Sequence, residues 1–316
     1  MPQNGASSGK PVTARRWALI YNPAARAARP HRLDAVVRAL TEAGMEVQVL
    51  STRAPGHATE LARNMVGGEG SGGTGSSVEG VAAFGGDGTL SEVATGLLGH
   101  ALPLAFLPGG TANVMARALG ISSDPVQAAR ALPHGIVHQV RPGLIDQRVF
   151  LLMAGFGLDG LAVRRVRPEL KRRLGRGAYV WSGLGALLER MPRLRMENEA
   201  GASWEGIWAI ATRSGHYGGN FRAHPDAGLL HPRLGLVMVK PLGVLPYLVG
   251  QLGLGLGHRV PGVAFAHGES CRVVAEVPMT VQVDGDFHPG ASEFRLSLAP
   301  HTLPLVFGAR ISVPGD

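Results

Sequence analysis

From Trp17 to about residue 138 the chain alternates short apolar runs with segments of helical spacing, and this rhythm restricts the fold more than any other feature. "RWALIYNP" reads as a short apolar strand. In "HRLDAVVRALTEAG" the residues Leu33, Val36, Val37 and Leu40 recur at i, i+3, i+4 and i+7, the spacing of an amphipathic helix, and Gly44 closes it. "MEVQVLS" alternates like a strand, and "PGHATELARNMV" returns to helical spacing through Ala58, Leu61, Ala62 and Met65. Two more strand-to-loop transitions follow, "VAAFGGDGT" and "LPLAFLPGGT", each leading into a helix. Strand and helix in this order predict an α/β domain with a mostly parallel sheet and helices on its faces.

Past residue 139 the texture changes. Short β-like runs ("RVFLLMAGFG", "WEGIWAIAT", "LGLVMVKPL", "CRVVAEV", "MTVQVDGD", "EFRLSL", "LPLVFG") are separated by Gly, Pro and His, with one helical segment near residues 168–190. Spacing of this kind predicts a β-rich, sandwich-like C-terminal domain. The expected division is a loose tail over 1–14, an α/β domain over 15–138 and a β-rich domain over 139–310. The Gly/Ser tract "GGEGSGGTGSSVEG" reads as a surface loop without core-forming capacity.

A composition of 45% hydrophobic and 17% charged residues supplies two such cores and argues against disorder. Lys plus Arg outnumber Asp plus Glu by 31 to 23, a net charge of +8 that favours anionic partners. Cys271 stands alone, so no internal disulfide is expected, which suits a reducing cytosol. The first residues lack an apolar run and do not read as a secretory signal. "PLGVLPYLVGQLGLGLG" is broken by Pro246 and several glycines and is shorter than the roughly 20 residues a spanning helix needs. It reads as core, with the lining of an acyl pocket as the alternative.

Ligands of open α/β sheets bind at the carboxyl ends of the strands. Three such ends stand out: "IYNPAAR", "FGGDGTLSEV" and "FLPGGTANVMARALG". In each, small residues let backbone approach a ligand and a helix N-terminus follows, a combination suited to anions. Thr89, Ser91 and Thr111 hydroxyls and the Asn22 and Asn113 amides add directional donors. One Gly-Gly-Thr alone is an ordinary βα turn; three such loops in one half point to a phosphate-rich ligand.

"GGDGT" followed about twenty residues later by "LPGGTANVMAR" resembles the diacylglycerol kinase catalytic domain, the family of bacterial diacylglycerol and lipid kinases related to sphingosine and ceramide kinases. "YNPAAR", "STRAPGHATELA", "LLMAGFGLDG", "KRRLGRGAYVWSGLGAL", "GHYGGNFRAHPDAGL" and "VQVDGD" extend the resemblance over about residues 16–308. It implies a two-domain lipid kinase that moves the γ-phosphoryl of ATP, with Mg²⁺, onto a lipid hydroxyl. The 15–138 domain would bind the nucleotide and the 139–310 domain the lipid. Carried over position by position, the nucleotide site is Asn22, Pro23, Ala24, Ala25 and Arg26, then Thr52, then Gly85, Gly86, Asp87, Gly88, Thr89, Leu90 and Ser91, with Thr111 and Asn113. The catalytic residues carried over are Asp286, Asp284 and Arg117: Asp286, within Asp284-Gly285-Asp286, would accept the proton of the attacking hydroxyl, and Arg117 would supply a cation. The implied location is cytoplasmic, with peripheral contact to an anionic membrane surface.

Several positions depart from the family pattern. Asp286 stands for the usual Glu, Ser91 for Asn, Val114 for an Asp of many bacterial members, and Arg141 for an Asp. The stretch "PDAGLLHPRLGL" places Leu230, His231, Pro232 and Gly235 where many members carry an acidic loop for a structural Mg²⁺, so that site is expected to be missing. Asp159 and Asp226 read equally as turn residues or site residues, and His216, His224 and His231 as structural histidines rather than zinc ligands. The basic cluster within "RRVRPELKRRLGR" (164–176) suits a solvated helix face or anionic lipid headgroups. With aromatics at only 5%, nucleic acid is not an expected partner. Two other readings remain: an NAD kinase, against which no Thr-Ala-Tyr-x-x-Ser-x-Gly-Gly-Pro signature is found, and a nucleotide- or lipid-binding module that has lost catalysis, which Arg141 and the lost acidic loop favour.

Overall fold

Six consecutive buried residues in Gly80–Gly85 and five in Leu104–Pro108 are what strands covered on both faces require. The computed structural model describes residues 9–67, 78–160, 191–218, 221–251 and 260–308. The first eight residues of the expected tail, most of the Gly/Ser tract, the helical segment 168–190 and the basic cluster 164–176 lie outside the described residues. The chain divides into two compact units: residues up to Arg141 together with those from His301 onward, and Pro142–Pro300.

In the first unit, β1 (Lys10–Pro11), β2 (Arg16–Tyr21), β3 (Glu46–Ser51), β4 (Gly80–Gly85), β5 (Leu104–Pro108), β6 (Ile136–Val140) and β19 (Leu303–Phe307) form one sheet in the order β1-β6-β19-β5-β4-β2-β3. The pairs from β19 to β3 are parallel, and β6 is antiparallel to β19. The helices are α1 (Pro30–Glu42), α2 (His57–Gly67), α3 (Asp87–Leu97), α4 (Val114–Ala118) and α5 (Pro125–Ala131). α1 starts with Pro at its first turn and turns Val36, Ala39 and Leu40 inward, and Gly44 beyond its end takes φ +77°, a backbone state that suits glycine. α2 and α3 approach closely where Gly96 faces Ala62, and a Cβ on Gly96 would lie 2.6 Å from that of Ala62.

The expected division assigns everything up to residue 310 to the second domain, whereas β19 belongs to the first sheet. A run such as "LPLVF" has strand character, but nothing local names its partner; five register pairs with β6 and a parallel contact with β5 decide it.

The second unit is antiparallel and β-rich, as the turn spacing predicts. Its strands are β7 (Gly143–Ile145), β8 (Arg148–Phe150), β9 (Met153–Phe156), β10 (Leu194–Asn198), β11 (Ser203–Gly206), β12 (Trp208–Thr212), β15 (Leu234–Val239), β16 (Val263–Gly268), β17 (Ser270–Val283) and β18 (Asp286–Leu298), with a small separate pair, β13 (His216–Gly218) and β14 (Phe221–Arg222). β17 pairs with β10 over its first half and with β9 at its last two residues, Gln282 and Val283, and its register against β18 shifts between Val274 and Val281. Bulges of this kind bend a sheet. β10 and β11 then pack over β12 and β15 without pairing to them, so the curled sheet encloses one core around Met196, Ala211, Leu236, Val273, Val281 and Phe294. The segment Pro241–Gly243 is a short 3-10 turn that leads into α6 (Val244–Gln251). Among the described residues no helix is long and apolar enough to cross a membrane.

Candidate active site

Three loops emerge side by side in the first unit because β5, β4 and β2 are neighbours in the sheet. Backbone bonds tie them together: Asn22 N–H to the Phe84 carbonyl at 2.9 Å, Gly109 N–H to Gly85 at 2.6 Å, and Ala27 N–H to Gly109 at 2.8 Å. The Asn22 amide donates to the Thr89 hydroxyl at 2.9 Å, and its own Oδ1 accepts the Ala24 N–H at 3.0 Å. Gly86 and Gly110 pass so closely that a Cβ on Gly110 would sit 2.6 Å from the Gly86 Cα. Glycine is required there by contact between two backbones.

Gly86 is the N-cap of α3, extended and without a side-chain cap, so the first turn of α3 opens among these loops with its amide groups uncovered by any capping side chain. Thr89 and Ser91 are buried in that helix, and Leu90 faces the core. Asp87 has a different task. Its two carboxylate oxygens accept the N–H groups of Val114 (3.0 Å) and Met115 (2.9 Å), the first turn of α4. Asn113, in left-handed backbone at φ 47°, holds the preceding turn by bonds to Gly110 N–H and C=O. Thr111 and Arg117 are exposed nearby in sequence, as are Pro23, Ala24 and Arg26, whereas Ala25 and Gly88 are half-buried. Thr52, at the end of β3, donates its N–H to Tyr21 at 2.8 Å.

In the second unit, the two residues between β17 and β18 are Asp284 (φ 50°) and Gly285 (φ 89°), a two-residue turn with both central φ angles positive, as Asp-Gly hairpins prefer. The side chain of Asp284 is buried and accepts three backbone N–H groups, from Leu151 (2.8 Å), Leu152 (2.9 Å) and Met153 (2.9 Å). Its carboxylate fixes the start of β9. Asp286, two residues on, is half exposed; its Oδ2 lies 3.5 Å from an Arg148 nitrogen. Arg148 also donates to the carbonyls of Val283 (3.3 Å) and Phe287 (3.1 Å), bracing the turn from the other side. Neither the Arg148 brace nor the use of Asp284 as an amide acceptor has a local signal in the sequence.

The sequence profile of the diacylglycerol kinase catalytic domain matches residues 16–145. A Pseudomonas aeruginosa protein named "probable lipid kinase YegS-like" is 33% identical over 285 residues, 85% of this chain and 87% of that one. The chain belongs to the diacylglycerol kinase family. A diacylglycerol kinase of Bacillus subtilis is 27% identical over 286 residues, covering 86% of this chain and 90% of the relative. A crystal structure of a diacylglycerol kinase from Bacillus anthracis shares the fold with a TM-score of 0.73 at 21% identity, covering 94% and 98% of the two chains.

Against this diacylglycerol kinase background, the departures acquire positions. Val114 is buried at the start of α4, and Arg141 is half-buried just past β6. In the stretch that lacks the acidic loop, a buried guanidinium organises the backbone instead. Arg213 donates to the carbonyls of Leu229 (2.6 Å), His231 (3.1 Å) and Arg233 (2.8 Å). Sequence reasoning missed Arg213, since "ATRSG" offers no sign that its cation turns inward. His224, His231 and His267 pack ring to ring beside it, with centroids 4.6 and 4.3 Å apart. Burial pushes the His224 imidazole down to about 4. Among the described residues no three His, Cys, Asp or Glu side chains gather as metal ligands would. Asp159 is buried beneath Trp208, whose indole donates to it at 2.8 Å, and the Tyr217 hydroxyl, and burial raises its carboxyl to about 6.

Proposed function

We propose that this protein is a lipid kinase that transfers the γ-phosphoryl group of ATP to the hydroxyl of a lipid alcohol, diacylglycerol-like or sphingoid-like, with Asp286 as the general base. The observation that carries the reading is the bare-backbone contact of Gly86 with Gly110, beside an uncapped α3 N-terminus and the Asn22–Thr89 bond. Such a site suits phosphate oxygens: amide donors, a positive helix end, and no side chain between backbone and ligand. With Asp87 committed to α4, the donors left for phosphate are those of the α3 turn and of the loops at Asn22 and Thr111. Arg117, exposed on α4, would add positive charge for the transferring group.

Mg²⁺ would neutralise charge on the phosphates. It is commonly held by one or two carboxylates and the nucleotide itself, so a preformed acidic cage is not required. Asp286 would take the proton of the acceptor hydroxyl as its oxygen bonds to the γ-phosphorus and the bond to ADP breaks. Its side chain is half exposed and held on a braced turn, as a base that must meet an incoming substrate should be. A cytoplasmic location with peripheral membrane contact belongs to the same reading, because the acceptor resides in a bilayer.

The second reading, a nucleotide- or lipid-binding module without turnover, is favoured by the Arg148 guanidinium near Asp286. One experiment separates the two: transfer of labelled γ-phosphate from ATP·Mg²⁺ to a panel of lipid alcohols in mixed micelles, with wild type beside Asp286→Asn. Labelled lipid that depends on Asp286 supports the kinase. Nucleotide binding with no lipid labelled supports the module.

A further inference from the structure

The corner formed by Pro241–Gly243 and α6 breaks the usual rule for a surface helix. Val244 and Tyr247 face inward at 9% and 2% exposure, while Leu242 and Leu245, also three apart, project outward at 89% and 71%. Both faces are therefore apolar, whereas a helix lying on a water-exposed surface carries polar residues outside. The corner is also rigid. Gly243 abuts Gly262 with no room for a Cβ, Lys240 donates its N–H to Gly262 at 2.8 Å, and the Tyr247 hydroxyl donates to Ala223 at 2.7 Å. Exposed Lys240 flanks the leucines on the N-terminal side.

We propose that Leu242 and Leu245 insert into the acyl region of a bilayer, with the Lys240 ammonium at the level of its anionic headgroups. The inference rests on the lipid kinase reading, which requires the protein to meet a bilayer-borne substrate. Two leucines standing out side by side form a tip. A protein partner would need a complementary pocket, but acyl chains close around a tip of any shape. Lysine suits the border, because its stem stays apolar while its charge reaches phosphate. The lost water contact of two leucines gives the affinity and the cation adds preference for anionic lipid.

The test is flotation of the full chain, without nucleotide, on vesicles of phosphatidylcholine alone or mixed with phosphatidylglycerol. The double variant Leu242→Ser with Leu245→Ser should partition at least tenfold less on both vesicles. Lys240→Gln should lose about fivefold on the anionic vesicles only, and salt should remove that difference. Leu245→Trp supplies a readout independent of folding losses: its emission should shift to the blue on vesicles and be quenched by brominated acyl chains. Three results would overturn the proposal: vesicle binding that ignores both leucines, no vesicle binding by wild type, or an unshifted emission from the introduced indole on bound protein. So would a wild-type dimer that the double variant splits while vesicle binding persists, since a second copy would then own this face. A protein that labels no lipid yet loses vesicle binding with the leucines keeps the surface and loses the kinase. An active kinase indifferent to the leucines does the reverse.

Discussion

The side-chain amide of Asn22 and the hydroxyl of Thr89, 67 residues apart in sequence, share a 2.9 Å hydrogen bond that joins the loop after β2 to the first turn of α3. If that bond fixes the phosphate site, Asn22→Ala should weaken ATP binding by about five- to tenfold, the loss of one hydrogen bond of about 1 kcal/mol and of the loop order it maintains. Isothermal titration checks this. Unchanged affinity would remove Asn22 from the site.

Gly110→Ala tests the backbone contact. The added Cβ would lie 2.6 Å from the Gly86 Cα, and backbone cannot step aside as a side chain can. Overpacking of about 1–3 kcal/mol should appear as a roughly five- to 150-fold loss of nucleotide affinity with the far-ultraviolet circular dichroism retained. Gly228→Ala, where a Cβ meets nothing within 4 Å, should be silent in both measurements.

Asp284 and Asp286 should separate cleanly. Asp284→Asn turns an amide nitrogen toward backbone N–H groups that now meet carboxylate oxygen, and should cost about 2–4 kcal/mol in urea unfolding. Asp286→Asn should leave the midpoint nearly unmoved and lower kcat by about 10²- to 10⁴-fold. A stability loss at Asp286 together with full turnover would defeat the assignment of the base.

Two buried groups should give opposite pH effects on stability. His224 titrates at about 4 when folded and near 6.5 when unfolded, so on acidification the unfolded chain takes up protons first and stability falls between pH 6.5 and 4. Asp159 titrates at about 6 folded against 3.8 unfolded, so the folded chain is protonated first and stability rises as pH falls from 6 to 3.8. Relative to wild type, His224→Gln should lose less stability on acidification across this range and Asp159→Asn more, each on the order of 2–3 kcal/mol. Urea midpoints at several pH values decide the signs.

Arg213 already faces the carbonyls of Leu229, His231 and Arg233, so EDTA should leave the melting temperature of the nucleotide-free protein unchanged. Arg213→Met should lower stability by about 3 kcal/mol or more, because it removes a buried cation that holds three carbonyls and leaves that of Leu229 unpaired in the interior. A fall in melting temperature with chelator would show that a metal holds the loop.

Most of the first unit was legible because its strands and helices bury regular patterns: Leu33, Val36 and Leu40 announce α1, and "VAAFG" announces β4. The Asp284-Gly285 turn has a local signal as well, but from the sequence the motif is read only as catalytic chemistry and not as a hairpin. What escaped was the use made of charged side chains by distant backbone. Asp87 caps α4 from 27 residues away, Asp284 reaches back 133 residues, and Arg213 serves a loop that looks like ordinary surface sequence. A carboxylate beside glycines reads as ligand chemistry whether it binds phosphate or amide, since both uses want the same residue. The run at 241–257, described only as far as residue 251, misled in another way. Its apolar residues suggested core, yet Leu242 and Leu245 point outward, and a stretch without a charged residue has no phase from which to tell the two faces apart.

β19 lies between β6 and β5, and Gln139 meets Thr302 across a separation of 163 residues. During synthesis the first unit is therefore the first to begin and the last to finish. Until residues 303–307 leave the ribosome, β5 keeps a bare edge and β6 has no partner toward the centre of the sheet. Closing a span of that length costs about 4–5 kcal/mol of chain entropy, less whatever the intervening unit returns by folding first and drawing its ends together. The nascent chain is thus exposed to edge-to-edge association for most of its translation, and early folding of residues 142–300 is what shortens that exposure.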